Sequence, residues 1–383
     1  MGTHESQFLS ARPHSGNKRV ALFLPTLGGG GAERVMLTLA GAIAERGYAV
    51  DLVVAGAAGP LRTEVPAFVR LIDLGCSRVL ASLPGLVRYL RKVRPDGLLS
   101  TLAHANLVAL WAGRIARIPV RIVIREATTT SQVPTNAVPL RSRLVPYLVR
   151  RFYPAASAIV AVSEGVAADL VQRSGLPQGR VEVIYNPVIS TDLLARAEQQ
   201  IHHPWFAPDA PPVILSVGRL TRAKDYPTLI RAFSLVRKKR KARLMILGEG
   251  EERGRLELLV RSLGMVCEVD LPGFVPNPFP YMRKAAVFAL SSAWEGLPNA
   301  LIQALALGTP VVATDCKSGP REVLQGGFLG DLVPVGKPEL MADAIGRTLL
   351  NPRQTERKGL ERFHRETITE AYLGLILGDR AHG

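Results

Sequence analysis

The chain has 383 residues, of which 47% are hydrophobic and 21% charged, a balance that is typical of a globular protein and a length that favours two domains. Its net charge of +16 is uneven, because residues 1–190 hold 22 Lys and Arg against 11 Asp and Glu while the remainder holds 26 against 21, so we expect the first half to face an anionic partner. No apolar run reaches the roughly 18 residues that cross a bilayer, and three widely spaced cysteines argue against a metal cluster or a disulfide framework and favour a cytoplasmic location.

The first seventeen residues lack the apolar core of a signal peptide, and we predict a disordered leader at 1–17. From residue 18 onward, short β-branched runs alternate with helical patterns, which is typical of a parallel sheet covered by helices on both faces. In this first half we predict strands at 19–24, 49–54, 69–73, 97–100, 120–124, 158–162 and 181–184, and helices near 32–46, 82–93, 104–116, 140–152 and 163–174.

A proline-rich stretch, HHPWFAPDAPP at 202–212, is a candidate linker. A second alternation then predicts strands at 213–217, 243–247, 266–270, 286–290 and 310–313, and helices at 226–237, 251–262, 279–284, 299–307 and 338–350. A terminal helix is predicted at 354–377. The pattern therefore predicts two doubly wound α/β domains, 18–190 and 191–353, which would bind ligands in a cleft at the carboxyl ends of their strands.

Four glycines, Gly28 to Gly31, separate the first strand from the first helix. Such a turn lets the backbone approach a ligand closely, and the helix N-terminus beyond it suits an anion. The spacing fits neither G-x-G-x-x-G nor a P-loop, so Gly29, Gly30 and Gly31 are candidate ligand contacts, and a flexible turn without a ligand is the alternative.

The corresponding turn of the second domain carries Gly218, Arg219 and Lys224 between a strand and a helix. Two cations at the carboxyl end of a strand suit a diphosphate, because Arg offers a planar fork and Lys a point charge. A solvated basic loop is the alternative interpretation of the same residues.

Several longer segments distinguish between the diphosphate site and the solvated loop. SVGRLTRAKDYPTLIRAF, LMILGEGEERGRLELLVRSLGM and SSAWEGLPNALIQALALGTPVVATD, with GGGGAERV, AVSEGVAADL and VIYNPV in the first half, resemble glycosyltransferase family 4 in order and spacing across most of residues 19–350. The resemblance implies the GT-B fold, in which an acceptor-side domain and a nucleotide-sugar-binding domain face each other across a cleft and the terminal helix crosses back to the first domain. It also implies a nucleotide-diphosphate sugar as donor, with a UDP-sugar favoured, retention of anomeric configuration, and no metal or cofactor.

By the same resemblance, Arg219 and Lys224 neutralise the leaving diphosphate, Glu295 contacts the donor sugar, and His104 lies near its reacting carbon. The residues that would hold the nucleotide and the sugar through loops and a helix start are Gly218, Gly248, Glu249, Gly273, Phe274, Val275, Gly296, Leu297, Pro298, Asn299 and Ala300. Arg125 and Glu126 follow another strand and are candidate acceptor-side contacts. The structural alternatives are a cap or salt bridge for Glu295 and a capping or packed role for His104.

One position departs from the family pattern. The second acid of its E-x7-E motif, which binds ribose hydroxyls, is Gln303 here. An amide keeps an acceptor and gains a donor but loses the charge, so we expect a modest loss of donor affinity, and a packing role for the amide is the alternative.

Two helical segments are both basic and amphipathic. The segment at 82–93 places Leu83, Leu86 and Leu90 on one stripe with Arg88, Arg91 and Lys92 largely off it, and the segment at 140–152 adds Arg141, Arg143, Arg150 and Arg151. Such helices suit an anionic membrane surface, and solvated helix faces are the alternative. The basic run RKKRK at 237–241 lacks interleaved aromatic residues and indicates no nucleic-acid binding.

The sequence therefore predicts a retaining glycosyltransferase that moves a sugar from a nucleotide-diphosphate sugar to a hydroxyl of a lipid-linked or polysaccharide acceptor in cell-surface glycan biosynthesis. We expect it to act in the cytoplasm, peripherally on the inner face of the membrane. The alternatives are a GT-B sugar-nucleotide epimerase and a non-catalytic sugar-nucleotide binding protein.

Overall fold

The computed structural model describes residues 18–129, 145–352 and 359–378. The predicted leader 1–17 lies outside these residues, as do Arg141 and Arg143 and the start of the predicted terminal helix at 354–358. The chain forms two compact units. Of the described residues, the first unit contains 18–126, 145–159 and those from Thr369 onward. The second unit contains 127–129 and 160–368. The predicted sequence boundary at 190/191 stays a prediction.

The first half of the chain alternates strands and helices in the predicted order. The strands are β1 (Arg19–Leu24), β2 (Ala49–Val54), β3 (Arg70–Asp73), β4 (Gly97–Thr101), β5 (Arg121–Glu126), β6 (Ala158–Ala161) and β7 (Val181–Val183), and the helices are α1 (Gly31–Glu45), α2 (Leu83–Val93), α3 (Ala103–Ala116), α4 (Val145–Phe152) and α5 (Glu164–Ser174). These bounds agree with the predicted ones to within two residues, and the predicted start of α4 at 140 lies outside the described residues.

The sheet has the order β3-β2-β1-β4-β5-β6-β7, with β1 parallel to both β2 and β4. Residues 20–24 of β1 are fully buried, as expected of a central strand with helices on both faces. Strands β2 and β3 are added on one side of β1, and β4 to β7 are added on the other side. The turns after β1 and β4 therefore lie at the switch point, which is where doubly wound sheets bind ligands.

The terminal helix α13 (Arg365–Leu377) begins in the second unit, and its residues from Thr369 onward belong to the first. Tyr372 and Ile376 are fully buried, and Arg121 of β5 donates from Nε to the Leu375 carbonyl at 3.1 Å. Gly97 has no room for a side chain because a Cβ there would lie 2.4 Å from Ile376. The predicted return of this helix to the first half of the chain is confirmed.

The second half contains strands β8 (Val213–Val217), β9 (Arg243–Leu247), β10 (Val269–Gly273), β11 (Val287–Leu290), β12 (Val311–Thr314) and β13 (Asp331–Val333), and helices α6 (Leu193–Ala197), α7 (Tyr226–Lys239), α8 (Arg253–Ser262), α9 (Phe279–Lys284), α10 (Asn299–Ala306), α11 (Pro320–Val323) and α12 (Pro338–Leu350). The sheet order is β10-β9-β8-β11-β12-β13 with parallel pairing throughout.

Successive residues of these strands point to opposite apolar layers. Ile214 and Leu244 belong to one buried cluster and Leu215 and Met245 to the other. Both faces of the sheet are therefore covered, and the predicted pair of parallel α/β sheets is confirmed.

Three short elements, α6, α11 and β13, were not predicted, because each has only three to five residues and no apolar period to detect. The strand predicted at 266–270 is wrong in its bounds, because both predicted ends lie three residues before the observed ones. The observed strand runs on through Pro272 to Gly273, with a register irregularity after Asp270, which an edge strand tolerates. Among the residues that the structure describes, no helix is long and apolar enough to cross a membrane.

Candidate functional site

The loop after β8 presents two cations at the carboxyl end of the sheet. Arg219 is exposed and has no ion-pair partner among the described residues. Lys224 ends a short 3₁₀ turn, and its neighbour Asp225 adopts a left-handed conformation with φ 43° before α7 begins. Ser291 fixes this turn by donating to the Lys224 carbonyl at 2.7 Å.

Lys224 is paired with the predicted sugar-contacting acid. Its Nζ lies 2.5 Å from Glu295 Oε1, and the two side chains are 22% and 11% exposed. Ser292 Oγ donates to the same carboxylate oxygen at 2.7 Å. The structure therefore brings Lys224 and Glu295 together, and it leaves Arg219 as the cation of the loop without a carboxylate partner in the described part of the chain.

Three glycines bring neighbouring loops into backbone contact beside these residues. Gly218 donates to the Leu247 carbonyl at 3.0 Å, and Gly248 donates to the Gly273 carbonyl at 2.8 Å. A Cβ at Gly248, whose φ is +150°, would lie 2.0 Å from the Gly218 carbonyl oxygen. The ends of β8, β9 and β10 are thus packed too closely for side chains at these positions, as a site formed by backbone groups requires.

The remaining loop residues that the sequence singled out are at the same edge of the sheet. The Glu249 carboxylate accepts hydrogen bonds from Arg253 Nη2 at 2.6 Å and from Arg253 Nε at 2.9 Å. These hydrogen bonds lower the pKa of the Glu249 carboxyl. Val275 is partly buried, and Phe274 is 54% exposed on the loop after β10. An exposed aromatic ring beside backbone-lined loops is a surface on which a nucleobase can stack.

The turn at 295–298 and the start of α10 form the second wall. Leu297 and Pro298 are buried, and Leu301 donates back to the Pro298 carbonyl at 3.0 Å. The backbone N–H groups of Asn299 and Ala300 have no acceptor in the described part of the chain, as expected of the first turn of a helix. These groups and the cations of the β8 loop make this edge electropositive.

Four side chains from distant segments hold this turn in place, and the sequence analysis assigned no role to them. Gly296 O accepts from Ser163 Oγ at 2.9 Å and from Ser318 Oγ at 3.0 Å. Glu295 O accepts from Thr129 Oγ1 at 3.1 Å. Asn186 donates from Nδ2 to Asn299 Oδ1 at 2.7 Å. Ser163 and Asn186 lie in the quoted segments AVSEGVAADL and VIYNPV, which was the signal that could have identified them.

Gln303 lies in the middle of α10 with its side chain half-buried. In the part of the chain that the structure describes, its amide forms no hydrogen bond, whereas its backbone carbonyl accepts from Leu307. The side-chain amide of Gln303 therefore does not hydrogen-bond to the backbone of the described residues, which was the structural alternative. The amide is available to a ligand.

Glu322 is a further acid near this wall, and its carboxylate is already engaged. It accepts from the N–H groups of Glu164 and Gly165 at 3.0 and 2.9 Å, at the N-terminus of α5. A carboxylate is stabilised there by the free amides and the helix dipole. Glu322 therefore caps a helix.

The first unit contains a separate cluster at the ends of β1 and β4. Gly29 has φ +87°, Gly30 is the N-cap of α1, and Gly31 begins that helix. A Cβ at Gly30 would lie 2.3 Å from a Glu33 carboxylate oxygen, so that side chain folds back over the helix start.

His104 is the second residue of α3 and keeps access to solvent. Partial burial of the imidazole lowers its pKa, and the charge of Glu33 opposes this shift. The ring is therefore neutral at pH 7. Leu102, two residues earlier, has φ 74°, an outlier for a bulky side chain and a form of strain that is frequent at functional sites.

Arg125 and Glu126, the predicted acceptor-side residues, are buried at the end of β5, with Arg125 0% exposed. Arg125 donates to Thr101 Oγ1 at 2.9 Å, and Glu126 accepts from Tyr153 and, at 3.0 Å, from Asn106. Burial raises the pKa of the Glu126 carboxyl, against the hydrogen bonds from Tyr153 and Asn106. In this structure both side chains bind protein groups, and an acceptor-side role for them stays a prediction.

Comparison with known proteins agrees with this geometry. The family model "Glycosyltransferase Family 4" matches residues 29–191, and "Glycosyl transferases group 1" matches residues 197–366. A Campylobacter jejuni N-acetylgalactosamine-N,N'-diacetylbacillosaminyl-diphospho-undecaprenol 4-alpha-N-acetylgalactosaminyltransferase is 32% identical over 381 residues, which cover 94% of this chain and 100% of the relative. The chain belongs to the group 1, family 4 glycosyltransferases. The predicted family and transferase activity are confirmed.

Further relatives and solved structures are similar to this glycosyltransferase. The lipopolysaccharide core biosynthesis glycosyltransferase LpsE of Rhizobium meliloti is 31% identical over 362 residues, covering 91% of this chain and 96% of the relative. Among solved structures, Anabaena HepE in complex with UDP and glucose matches with a TM-score of 0.75 at 20% identity, covering 93% of this chain and 98% of the other. The sucrose-phosphate synthase of Thermosynechococcus elongatus also matches with a TM-score of 0.75 at 20% identity, covering 94% and 98%. At these identities the likeness establishes the fold, which is GT-B as predicted.

Proposed function

We propose that this glycosyltransferase binds a nucleotide-diphosphate sugar, with UDP as the favoured nucleotide, at the edge formed by the β8 loop and the start of α10. The observation that carries the proposal is the grouping of Arg219 with the Lys224–Glu295 pair, at 2.5 Å, and the amides of Asn299 and Ala300; within the described residues, Arg219 has no ion-pair partner and the two amides have no acceptor. Cations and helix-terminal amides are what a diphosphate needs. HepE, a structural neighbour, was solved with UDP.

Lys224 and Glu295 have complementary tasks in this proposal. A bound diphosphate competes with Glu295 for Lys224, and the carboxylate is then free to accept hydrogen bonds from the sugar hydroxyls. Charge develops on the departing diphosphate, so Arg219 and Lys224 stabilise the transition state more than the ground state. We assign them the charge neutralisation that a metal ion supplies in other transferases, and propose that no metal or cofactor is required.

We further propose retention of anomeric configuration. In the donor complex we assign Glu295 to the sugar hydroxyls, beside Ser292, and we assign no carboxylate as a covalent nucleophile. Departure of the diphosphate and attack by the acceptor hydroxyl on the same face of the sugar fit this arrangement. The role of His104, which the family resemblance implies, stays a prediction.

The acceptor that we propose is a hydroxyl of a lipid-linked or polysaccharide glycan, and the transferred sugar a hexose or an N-acetylhexosamine. Support comes from the relatives, one named for a diphospho-undecaprenol substrate and one for lipopolysaccharide core biosynthesis. A lipid-linked acceptor places the enzyme in the cytoplasm, at the membrane surface.

A transfer assay tests the proposal. The protein would be incubated with UDP- and GDP-sugars, with and without an undecaprenyl-diphosphate-linked saccharide, in the presence of EDTA, and the product linkage would be determined by NMR. We expect nucleotide release that depends on the acceptor, is unaffected by EDTA, and yields a product with the anomeric configuration of the donor. Donor turnover without acceptor would indicate an epimerase or a hydrolase, and an inverted product would contradict retention.

A further inference from the structure

Two neighbouring serines follow strand β11, and their hydroxyls donate to different parts of the proposed donor site. Ser291 and Ser292 are 1% and 0% exposed. Ser291 Oγ donates to the Lys224 carbonyl at 2.7 Å, whereas Ser292 Oγ donates to Glu295 Oε1 at 2.7 Å. One hydroxyl therefore holds the backbone of the cationic loop, and the other holds the side chain of the acid.

The loop after β11 is attached to the β8 loop by a backbone bond as well. Ala293 donates to the Ala223 carbonyl at 2.8 Å, next to the bond from Ser291 to the Lys224 carbonyl. These two hydrogen bonds fix the main chain from which the Lys224 side chain extends. The Ser291 hydroxyl therefore bears on the position of the cationic loop, which also carries Arg219.

Ser292 is itself held by the neighbouring strand. Its carbonyl accepts from Thr314 Oγ1 at 2.6 Å, and Thr314, the last residue of β12, is fully buried. A buried hydroxyl on a fixed backbone has few alternative positions, so the sheet sets the direction in which Ser292 donates. The Ser292 hydroxyl is therefore a rigid support for Glu295.

The two oxygens of the Glu295 carboxylate have different surroundings. Oε1 accepts from Lys224 Nζ at 2.5 Å and from Ser292 Oγ, while Oε2 accepts no hydrogen bond from the residues that the structure describes. When a diphosphate takes Lys224, as the proposed function requires, Ser292 is the donor that stays on the carboxylate within this part of the chain. A largely buried carboxylate needs such a donor, because leaving it without one is costly.

We propose that Ser291 and Ser292 are positioning residues with separate tasks. Ser291 places the cationic loop for the diphosphate, and Ser292 anchors Oε1 of Glu295 so that Oε2 accepts from the sugar hydroxyls. The inference rests on the proposed function, in which Glu295 contacts the sugar. Ser292 thus acts on the part of the donor that UDP lacks, whereas Ser291 acts on the part that UDP and UDP-sugars share.

Calorimetric titration of the full chain tests this division. The probes are UDP, UDP-glucose, UDP-galactose and the two corresponding N-acetyl derivatives, and the UDP-sugar that wild type binds most tightly is used for the variants. We expect Ser292→Ala to bind that UDP-sugar about fivefold more weakly or worse, with UDP affinity within about twofold of wild type. Ser291→Ala is the matched control, because it removes the neighbouring buried hydroxyl, and it should weaken binding of both ligands by a similar factor of up to about tenfold.

Two further variants show whether Ser292 acts through the acid. In the Glu295→Ala background, Ser292→Ala should change the affinity for the UDP-sugar by less than about twofold, because the group that it positions is gone. Thr314→Val removes the hydroxyl that holds Ser292 and keeps the shape of the side chain. It should show the same selective loss of the UDP-sugar. Thermal unfolding midpoints identify any variant that loses binding because it is unfolded.

The outcomes separate this inference from the proposed function. Equal weakening of UDP and UDP-sugar binding in folded Ser292→Ala, an unaltered affinity for both, or an undiminished effect in the Glu295→Ala background would overturn the role of Ser292. A loss confined to the UDP-sugar in Ser291→Ala would overturn the separate task of Ser291. Wild-type protein that binds neither UDP nor any of the UDP-sugars would contradict the proposed function instead.

Discussion

The pairing of Lys224 with Glu295 gives the donor site two alternative charge arrangements. Without a ligand, the 2.5 Å contact neutralises both side chains, and Ser292 holds the carboxylate in place. Because the pair is largely buried, removal of one partner would leave the other charge poorly solvated. In the proposed function a nucleotide diphosphate replaces Glu295 at Lys224, and the sugar hydroxyls of the donor then satisfy the carboxylate.

Gln303 is the residue at which this chain departs from its family. Its half-buried amide has no hydrogen-bond partner among the described residues, so a neutral group is presented where an acid is expected. An amide can accept from one ribose hydroxyl and donate to another, which a carboxylate cannot do.

If Gln303 binds the ribose, its removal should erase the discrimination between ribose and dideoxyribose. We expect Gln303→Ala to weaken UDP binding by about 2- to 12-fold, the equivalent of one neutral hydrogen bond, and to leave the affinity for 2',3'-dideoxy-UDP unchanged. Calorimetric titration of both nucleotides measures this. Gln303→Glu is the matched control and should bind UDP at least as well as wild type. Equal effects of Gln303→Ala on both nucleotides would show that the amide only packs.

At the scale of elements, the turn before α10 depends on close backbone packing. A Cβ at Gly296 would lie 2.0 Å from the Ala127 carbonyl oxygen and 3.1 Å from Thr128 Cα. These are backbone atoms, which cannot move aside as readily as the end of a flexible side chain. The same turn is held through the carbonyls of Glu295 and Gly296. Glycine is therefore required by space at this position.

Substitution of this glycine should disturb both stability and donor binding. We expect Gly296→Ala to lower the free energy of unfolding by about 1–3 kcal/mol, as overpacking does, and to weaken UDP binding, because Glu295 and the amides of α10 move with the turn. Gly254→Ala is the control, since a Cβ there meets nothing within 4 Å in the first turn of α8, and it should be neutral or stabilising by up to about 1 kcal/mol. Thermal unfolding and UDP titration check both. A Gly296→Ala protein as stable and as tight-binding as wild type would refute the packing argument.

The strands were predictable where apolar runs are continuous, and the turn contacts were not. Residues 20–24 and 213–217 are short runs that are apolar except for Ser216, and their strand bounds follow from this pattern and its length. In β10 the strand runs on through Pro272, and a propensity argument ends it too early. Arg125 and Glu126 were placed correctly at the end of a strand, but their burial depends on Asn106 and Tyr153, which only the tertiary structure brings there.

At the scale of the whole molecule, the site is assembled from segments that are far apart in the sequence. The turn at Glu295 is held by Thr129, Ser163 and Ser318, separated by up to 189 positions, and by Asn186 through α10. Family motifs identify some of these segments, because Ser163 and Asn186 lie in quoted stretches, but periodicity cannot show which side chains meet. The fold class and the cations were therefore accessible from the sequence, whereas the contacts that position Glu295 were not.

The central claim is that Arg219 and Lys224 bind the diphosphate of the donor. The most direct measurement is calorimetric titration of UDP into wild type, into Arg219→Ala/Lys224→Ala, and into Arg222→Ala, whose guanidinium lies on the same loop and pairs with Glu252 at 3.5 Å. Since a charge-assisted hydrogen bond contributes about 1.5–3 kcal/mol, the double variant should bind UDP at least tenfold more weakly, while the Arg222→Ala control stays within about twofold of wild type. Wild-type affinity in the double variant, or an equal loss in Arg222→Ala, would contradict the assigned donor site.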